Sequence, residues 1–146
     1  MVAGAPETAE ASGWPGAAGA PELAFAGLAR QAALLRSREV SARELVELSL
    51  QRIEAGQPTL NAFRVVCAEA ALTAADRADA RLRGGDGGAN APLLGVPVAI
   101  KDDVDLAGHT TPFGCGGEVE ACRADAELVR RLNRAGAIVV GKTQAP

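Results

Sequence analysis

The chain has 146 residues, which is enough for one domain but too few for two independent hydrophobic cores. A net charge of -3 and an isoelectric point near 5.2 give no excess of positive charge to attract nucleic acid or anionic lipid. No basic segment precedes an apolar one near the start, as a signal peptide requires, so we expect a cytoplasmic protein with no nucleic-acid or membrane partner.

The first predicted elements are a tail and a helix. Residues 1–21 combine Ala, Gly, Pro and Glu with a single Trp, and such a segment buries too little apolar surface to offset the entropy lost on ordering. We therefore expect a disordered tail over 1–21 and a domain over 22–146. Leu and Ala recur on one helical face from residue 22 to about 36, which predicts the first helix.

A second helix has marked ends. Ser41 followed three residues later by Glu44 is a capping box, in which each side chain accepts a hydrogen bond from the backbone of the other residue. Leu, Val and Ile follow at helical spacing. Gly56 and Pro58 are expected to terminate this helix.

A third helix is predicted over residues 68–82, where apolar side chains recur at helical spacing. It follows a short extended run at 62–66. The glycine-rich stretch 84–88 closes the helix and is expected to be a surface loop.

Two short apolar runs, 95–100 and 137–140, predict strands that are buried on both faces. The segment between them contains a predicted helix with Asp125 as its N-cap and Gly136 just past its end. Its inward face should carry Leu128, Val129 and Leu132. The result is an α/β chain that ends in a βαβ unit with parallel strands. Because two strands make no stable parallel sheet, we expect further strands and a natural chain that continues beyond this sequence.

Lys101 is the candidate catalytic residue. The chain has two lysines, Lys101 and Lys142, against thirteen arginines, and Lys101 follows the first predicted strand directly. Side chains at the carboxyl ends of parallel strands face the crevice where α/β proteins build their sites, and the irregular stretch 102–124 that follows is expected to be a functional loop. The alternative is an ordinary surface lysine paired with a neighbouring aspartate. A lysine base must be desolvated, and nearby carboxylates oppose loss of its proton, so Asp102 and Asp103 would have to turn away.

The other reactive side chains support weaker hypotheses. Cys67, Cys115, Cys122 and the single His109 have neither disulfide nor zinc-ligand spacing, so we expect free thiols, no metal and no cofactor. Cys115 lies between glycines with His109 six residues before it, which leaves a cysteine-hydrolase site as a disfavoured alternative. No phosphate-binding glycine motif follows either strand.

Three stretches together resemble the N-terminal third of the amidase signature family. They are SARELVELSLQRIEAGQPTLNAF, PLLGVPVAIKDDVDLAG and DAELVRRLNRAGAIVVGKT, in that order and spacing. The resemblance covers about residues 23–146. It implies an α/β/α fold with a central mixed sheet, incomplete here, and hydrolysis of a small-molecule carboxylic amide to a carboxylate and ammonia or an amine. It also implies that Lys101 is the lysine of a Ser-Ser-Lys triad, while Lys142 has no position in that triad.

The chain departs from the family pattern in one major respect. The family's Gly-Gly-Ser-Ser-type loop does not occur, so this sequence is expected to be a truncated fragment that stops before the catalytic serines and is inactive alone. Cys115 and Pro112 stand where the family often has Ser and Thr. Two alternative functions remain open, an amidase-like component of a tRNA-dependent amidotransferase and a non-catalytic binding module. Assembly as a homodimer also remains open.

Overall fold

A computed structural model describes residues 20–85, 88–115 and 118–145. The expected tail, 1–21, lies outside these residues except for its last two positions, and the predicted loop at 84–88 lies partly outside them. The first helix is interrupted: α1 spans Ala20–Ala24 and α2 spans Leu28–Ser37. Gly27 causes the break, because its φ of 76° lies in a region that helical residues do not occupy.

Helix α3 spans Ala42–Leu60 and confirms the capping box. The Ser41 Oγ accepts a hydrogen bond from the Glu44 amide at 3.1 Å, and the Glu44 carboxylate accepts one from the Ser41 amide at 2.8 Å. The predicted end was wrong, since the helix continues through Pro58 to Leu60 and stops where Asn61 adopts a left-handed φ of 44°. A proline near the last turn removes one backbone hydrogen bond without ending the helix.

The remaining elements form a three-stranded mixed sheet with two helices. In chain order they are β1 (Phe63–Val66), α4 (Ala68–Arg83), β2 (Pro97–Lys101), α5 (Glu127–Arg134) and β3 (Ile138–Thr143). Strands β2 and β3 are parallel, with Ile100 opposite Lys142 and Lys101 opposite Thr143, which confirms the βαβ unit. The run 62–66, expected only to be extended, forms β1 and pairs antiparallel with β3, giving the order β1-β3-β2.

Helix α5 differs from its prediction in detail. Its N-cap is Ala126, without a side-chain hydrogen bond, while the Asp125 carboxylate accepts from the Ala107 amide at 2.8 Å and from the Asn133 side chain at 3.2 Å. Val129 is buried and Leu132 partly buried, as predicted, but Leu128 is exposed. Asp125 therefore ties the long loop to α5.

Two apolar clusters lie on opposite sides of the sheet. Helices α2, α3 and α4 pack with Ile138 and Val140, and the α5 residue Val129 packs with Ile100. Gly141 is required where β3 pairs with β1, because an added Cβ would collide with the Val65 carbonyl oxygen. Within the described residues, no helix is long and apolar enough to cross a membrane.

Candidate active site

Lys101 is the last residue of β2 and lies at the carboxyl end of the strand, as predicted. Its side chain is 56% exposed, and its Nζ lies 3.1 Å from the Asp103 Oδ2, whose side chain is 40% exposed. Just after the strand the chain turns, with the Val104 amide donating to the Lys101 carbonyl at 3.0 Å. Of the two aspartates expected to turn away, Asp103 does not.

Asp102, in contrast, is turned away from solvent and is only 2% exposed. Its Oδ1 accepts hydrogen bonds from the Arg64 guanidinium of β1, at 2.7 Å from Nε and 2.6 Å from the second terminal nitrogen. The Lys142 Nζ of β3 lies 3.4 Å from the same oxygen. Burial alone would raise the pKa of Asp102, but the hydrogen bonds and positive charges of Arg64 and Lys142 outweigh it and lower that pKa below 3.8.

Lys142 is fully buried, which the sequence did not predict. Its Nζ donates to the Thr110 carbonyl at 2.8 Å and to the Thr111 hydroxyl at 3.0 Å. Arg64 also donates to Thr110, at 3.1 Å to the hydroxyl and 2.6 Å to the carbonyl. We call Arg64, Asp102, Thr110, Thr111 and Lys142 the Asp102 cluster. One feature of the sequence could have indicated that Lys142 is buried. Lys142 is one of two lysines in the chain, and it follows an apolar run and a glycine.

The structure does not bring Cys115 and His109 together. Cys115 is exposed, and the contact found for its thiol is with the Phe113 carbonyl at 3.9 Å. The His109 Nε2 instead lies 3.8 Å from the sulfur of Cys67, where burial raises the pKa of the Cys67 thiol. A raised thiol pKa disfavours the nucleophilic thiolate at Cys67, and Cys115 lies apart from the histidine that was its expected base.

Cys122 takes part in the hydrogen bonds that order the long loop. Its thiol donates to the Asp105 carboxylate at 3.2 Å and lies 3.3 Å from the Thr111 hydroxyl. Hydrogen bonds from Cys122 and then from Thr111 lower the pKa of Asp105. The loop is thus connected to the Asp102 cluster through Thr111. In the described part of the chain, no three His, Cys, Asp or Glu side chains form a group that could hold a metal.

The hydroxyls of the described serines form hydrogen bonds with backbone groups of the helices. Ser41 caps α3, the Ser49 hydroxyl donates to the Leu45 carbonyl at 2.8 Å, and the Ser37 hydroxyl donates to the Leu34 carbonyl at 3.1 Å. Within residues 20–85, 88–115 and 118–145, none of these serine contacts involves Lys101.

Comparison with known proteins identifies the family. The Amidase family model matches residues 44–146 of this chain. The chain belongs to the amidase signature family. Solved amidase structures superimpose on the α/β arrangement of this region, which confirms the expected fold. Peptide amidase from Stenotrophomonas maltophilia superimposes with a TM-score of 0.70 at 34% identity, covering 80% of this chain and 24% of that enzyme.

Curated relatives give the same assignment to the amidase family. The Mycobacterium tuberculosis protein named "Putative amidase AmiA2" is 55% identical over 109 residues, which are 75% of this chain and 22% of that protein. A glutamyl-tRNA(Gln) amidotransferase component from Halorhodospira halophila is 47% identical over 118 residues, which are 79% of this chain and 23% of that protein. The chain thus spans about a quarter of the length of the amidase relatives it matches.

Proposed function

We propose that this chain is the N-terminal part of an amidohydrolase that converts a carboxylic amide to a carboxylate and ammonia or an amine, with Lys101 as its general base. The observation that carries the proposal is the position of Lys101 at the carboxyl end of β2 in a chain of the amidase signature family. The substrate is a small-molecule amide whose identity depends on residues that this chain does not hold. The activity needs no cofactor.

Lys101 would act through a bridging serine. In its neutral form the amine would take the proton of the nucleophilic serine, relayed through the bridging serine, and would later return it to the leaving amine. Backbone amides of the serine loop would stabilise the developing oxyanion. The serines and the oxyanion donors would come from parts of the domain outside these 146 residues.

Two changes would have to accompany assembly of this site. Lys101 would have to lose much of its 56% exposure, because removal from water favours the neutral amine. Asp103 would also have to release the ammonium, since a carboxylate at 3.1 Å favours the charged form. A contact between two side chains that are each about half exposed is weak, so packing of further chain against β2 could displace it.

The proposal is tested in a complete enzyme. Residues 44–146 would replace the matching segment of the mycobacterial relative AmiA2, and ammonia release would be measured on a panel of carboxylic amides. We expect the chimera to hydrolyse at least one amide that the parent hydrolyses, and Lys101→Ala to abolish this turnover. Arg131→Ala, which removes an exposed cation of α5, is the control and should leave it unchanged. A folded but inactive chimera, or an active Lys101→Ala variant, would contradict the proposal.

We also propose that the isolated 146-residue chain is inactive. The described serines contact helix groups, and no Gly-Gly-Ser-Ser-type loop occurs in the sequence, so the serine nucleophile and the oxyanion donors of that loop would both be absent. Together such contributions are on the order of 10 kcal/mol of barrier lowering.

A second candidate function is supported by the amidotransferase relative, which is 47% identical. In this case the enzyme would pass the ammonia that it releases to a partner protein, whereas an amidohydrolase would release ammonia as a free product. The same chimera assay separates the two, because an amidotransferase-type site should prefer glutamine to the other amides. Equal rates on unrelated amides would favour the amidohydrolase.

A further inference from the structure

The side chains of Lys101 and Lys142 lie on opposite faces of the sheet. Lys142 is opposite Ile100 across the β2–β3 pair, so its side chain shares a face with Ile100, and Lys101, one residue later, points to the other face. Asp102 returns to the face of Ile100, where Arg64 and Lys142 hold it. The side chains of Lys101 and Asp102, which are adjacent in sequence, therefore lie on opposite faces of the sheet.

We propose that Lys142 is a positioning residue for Lys101, because with Arg64 it holds the Asp102 carboxylate on the far face and fixes the turn from which Lys101 projects. The inference rests on the proposed role of Lys101 as the general base. It assigns a role in the reaction to a side chain that has no place in the Ser-Ser-Lys triad.

The Lys142 ammonium has a complete set of partners. Its three protons face three acceptors: the Thr110 carbonyl at 2.8 Å, the Thr111 hydroxyl at 3.0 Å and Asp102 Oδ1 at 3.4 Å. A fully buried ammonium is stable only when its protons are accepted and its charge is paired. These acceptors belong to the long loop and to the turn after β2, so Lys142 joins both to β3.

The charged groups around Asp102 and Lys101 determine how loss of the Lys142 charge would affect Lys101. Arg64 and Lys142 face Asp102, with the Asp105 charge also acting on Lys142, while Asp103 faces Lys101 on the other side. The Asp102 carboxylate is already paired with two cations, so it does not pair with Lys101. Without the Lys142 charge, Asp102 would be held less firmly and the positive potential near Lys101 would fall. Both changes favour the protonated lysine.

The test compares Lys142→Met and Lys142→Arg in the complete chimera. For Lys142→Met we expect kcat to fall about tenfold or more, KM to stay within about twofold, and the acidic limb of the kcat profile to move to higher pH. Lys142→Arg keeps the charge, so its acidic limb should remain at the wild-type pH even if the larger guanidinium lowers stability. Should Lys142→Met fail to fold, Arg64→Gln removes the other cation at a partly exposed position and carries the same expectations.

A purely structural role for Lys142 is separated by a destabilised control. Asp79→Asn weakens a buried contact between α4 and the start of α3 that involves no residue of the Asp102 cluster, and it should lower the melting temperature without moving the acidic limb. The positioning role is overturned if Lys142→Met leaves kcat unchanged, if it lowers kcat with an unmoved limb, or if Lys142→Arg moves the limb as far as Lys142→Met does. Retained turnover in Lys101→Arg would instead overturn the proposed function.

Discussion

Replacing Asp102 with Asn should destabilise the chain far more than the same substitution at its neighbour Asp103. Asp102 is 2% exposed and is the counter-ion of Arg64, at 2.6 Å, and Lys142, at 3.4 Å. Asp103 is 40% exposed and contacts the half-exposed Lys101. The two variants therefore make one chemical change at adjacent positions that differ in burial.

The magnitude follows from the charge left behind. Removing one partner of a buried ion pair costs about 3–5 kcal/mol, because the remaining charge stays buried without compensation. Lys142 has no access to water, whereas Arg64 is 25% exposed and Asn keeps one carbonyl acceptor. We therefore expect about 3 kcal/mol for Asp102→Asn, at the lower end of that range. Asp103→Asn should cost less than about 1 kcal/mol, as exposed pairs do.

Urea unfolding of the 146-residue chain, followed by circular dichroism, measures both values. With a slope of about 2 kcal/mol per molar urea, Asp102→Asn should lower the midpoint by about 1.5 M and Asp103→Asn by less than about 0.5 M. Equal shifts in the two variants would show that the Asp102 cluster is not a buried ionic network and would refute the reasoning about Lys142.

Three further predictions concern stability and activity. Because the pKa of Asp102 is lowered from 3.8, the stability that its charge contributes is present above about pH 4 and is lost as the pH falls through the lowered pKa. Urea midpoints measured between pH 5 and 2 should therefore drop more steeply in the wild type than in Asp102→Asn. Asp79→Ala should cost about 2–3 kcal/mol in urea unfolding, since it leaves the Ala42 and Arg43 amides without their acceptor. Asp76→Ala, which breaks an exposed ion pair, should cost less than about 1 kcal/mol. The reverse order would contradict the role of the Asp79 carboxylate as a buried acceptor for the start of α3. The isolated chain should release no ammonia from amides above background, and release that disappears in Cys115→Ala would instead revive the cysteine-hydrolase hypothesis.

Local patterns in the sequence predicted the elements whose signals are themselves local. The capping box at Ser41 joins residues three apart, and each parallel strand is a short apolar run next to glycine. Strand β1 has no such pattern, because Phe63–Val66 is half-buried on an edge and owes its conformation to pairing with β3. The inward position predicted for Leu128 was wrong, since α5 turns only a narrow stripe around Val129 toward the sheet.

The candidate site was predictable only in part, for the same reason. Lys101 could be selected because it follows an apolar run directly. The prediction that this strand is buried on both faces was wrong, since in β2 Ile100 is buried but Ala99 is exposed. The burial of Lys142 depends on Asp102, Thr110 and Thr111, which lie 31 to 40 residues earlier and approach it only through the β2–β3 pairing. No periodicity connects such positions, although a lysine inside an apolar strand was itself an indication. Which aspartate contacts Lys101 depends on the turn after β2, and the local sequence does not distinguish Asp102 from Asp103.

The turnover of Lys101→Arg in the complete chimera tests the central claim most directly. Arginine keeps the positive charge but gives up no proton at usable pH, so a lysine needed only as an ion-pair partner of Asp103 should tolerate it, and a general base should not. We expect kcat below about one hundredth of the wild-type value, with circular dichroism unchanged. A variant that keeps more than about one tenth of wild-type kcat, a loss of roughly 1.4 kcal/mol or less, would contradict the assignment of Lys101 as the base.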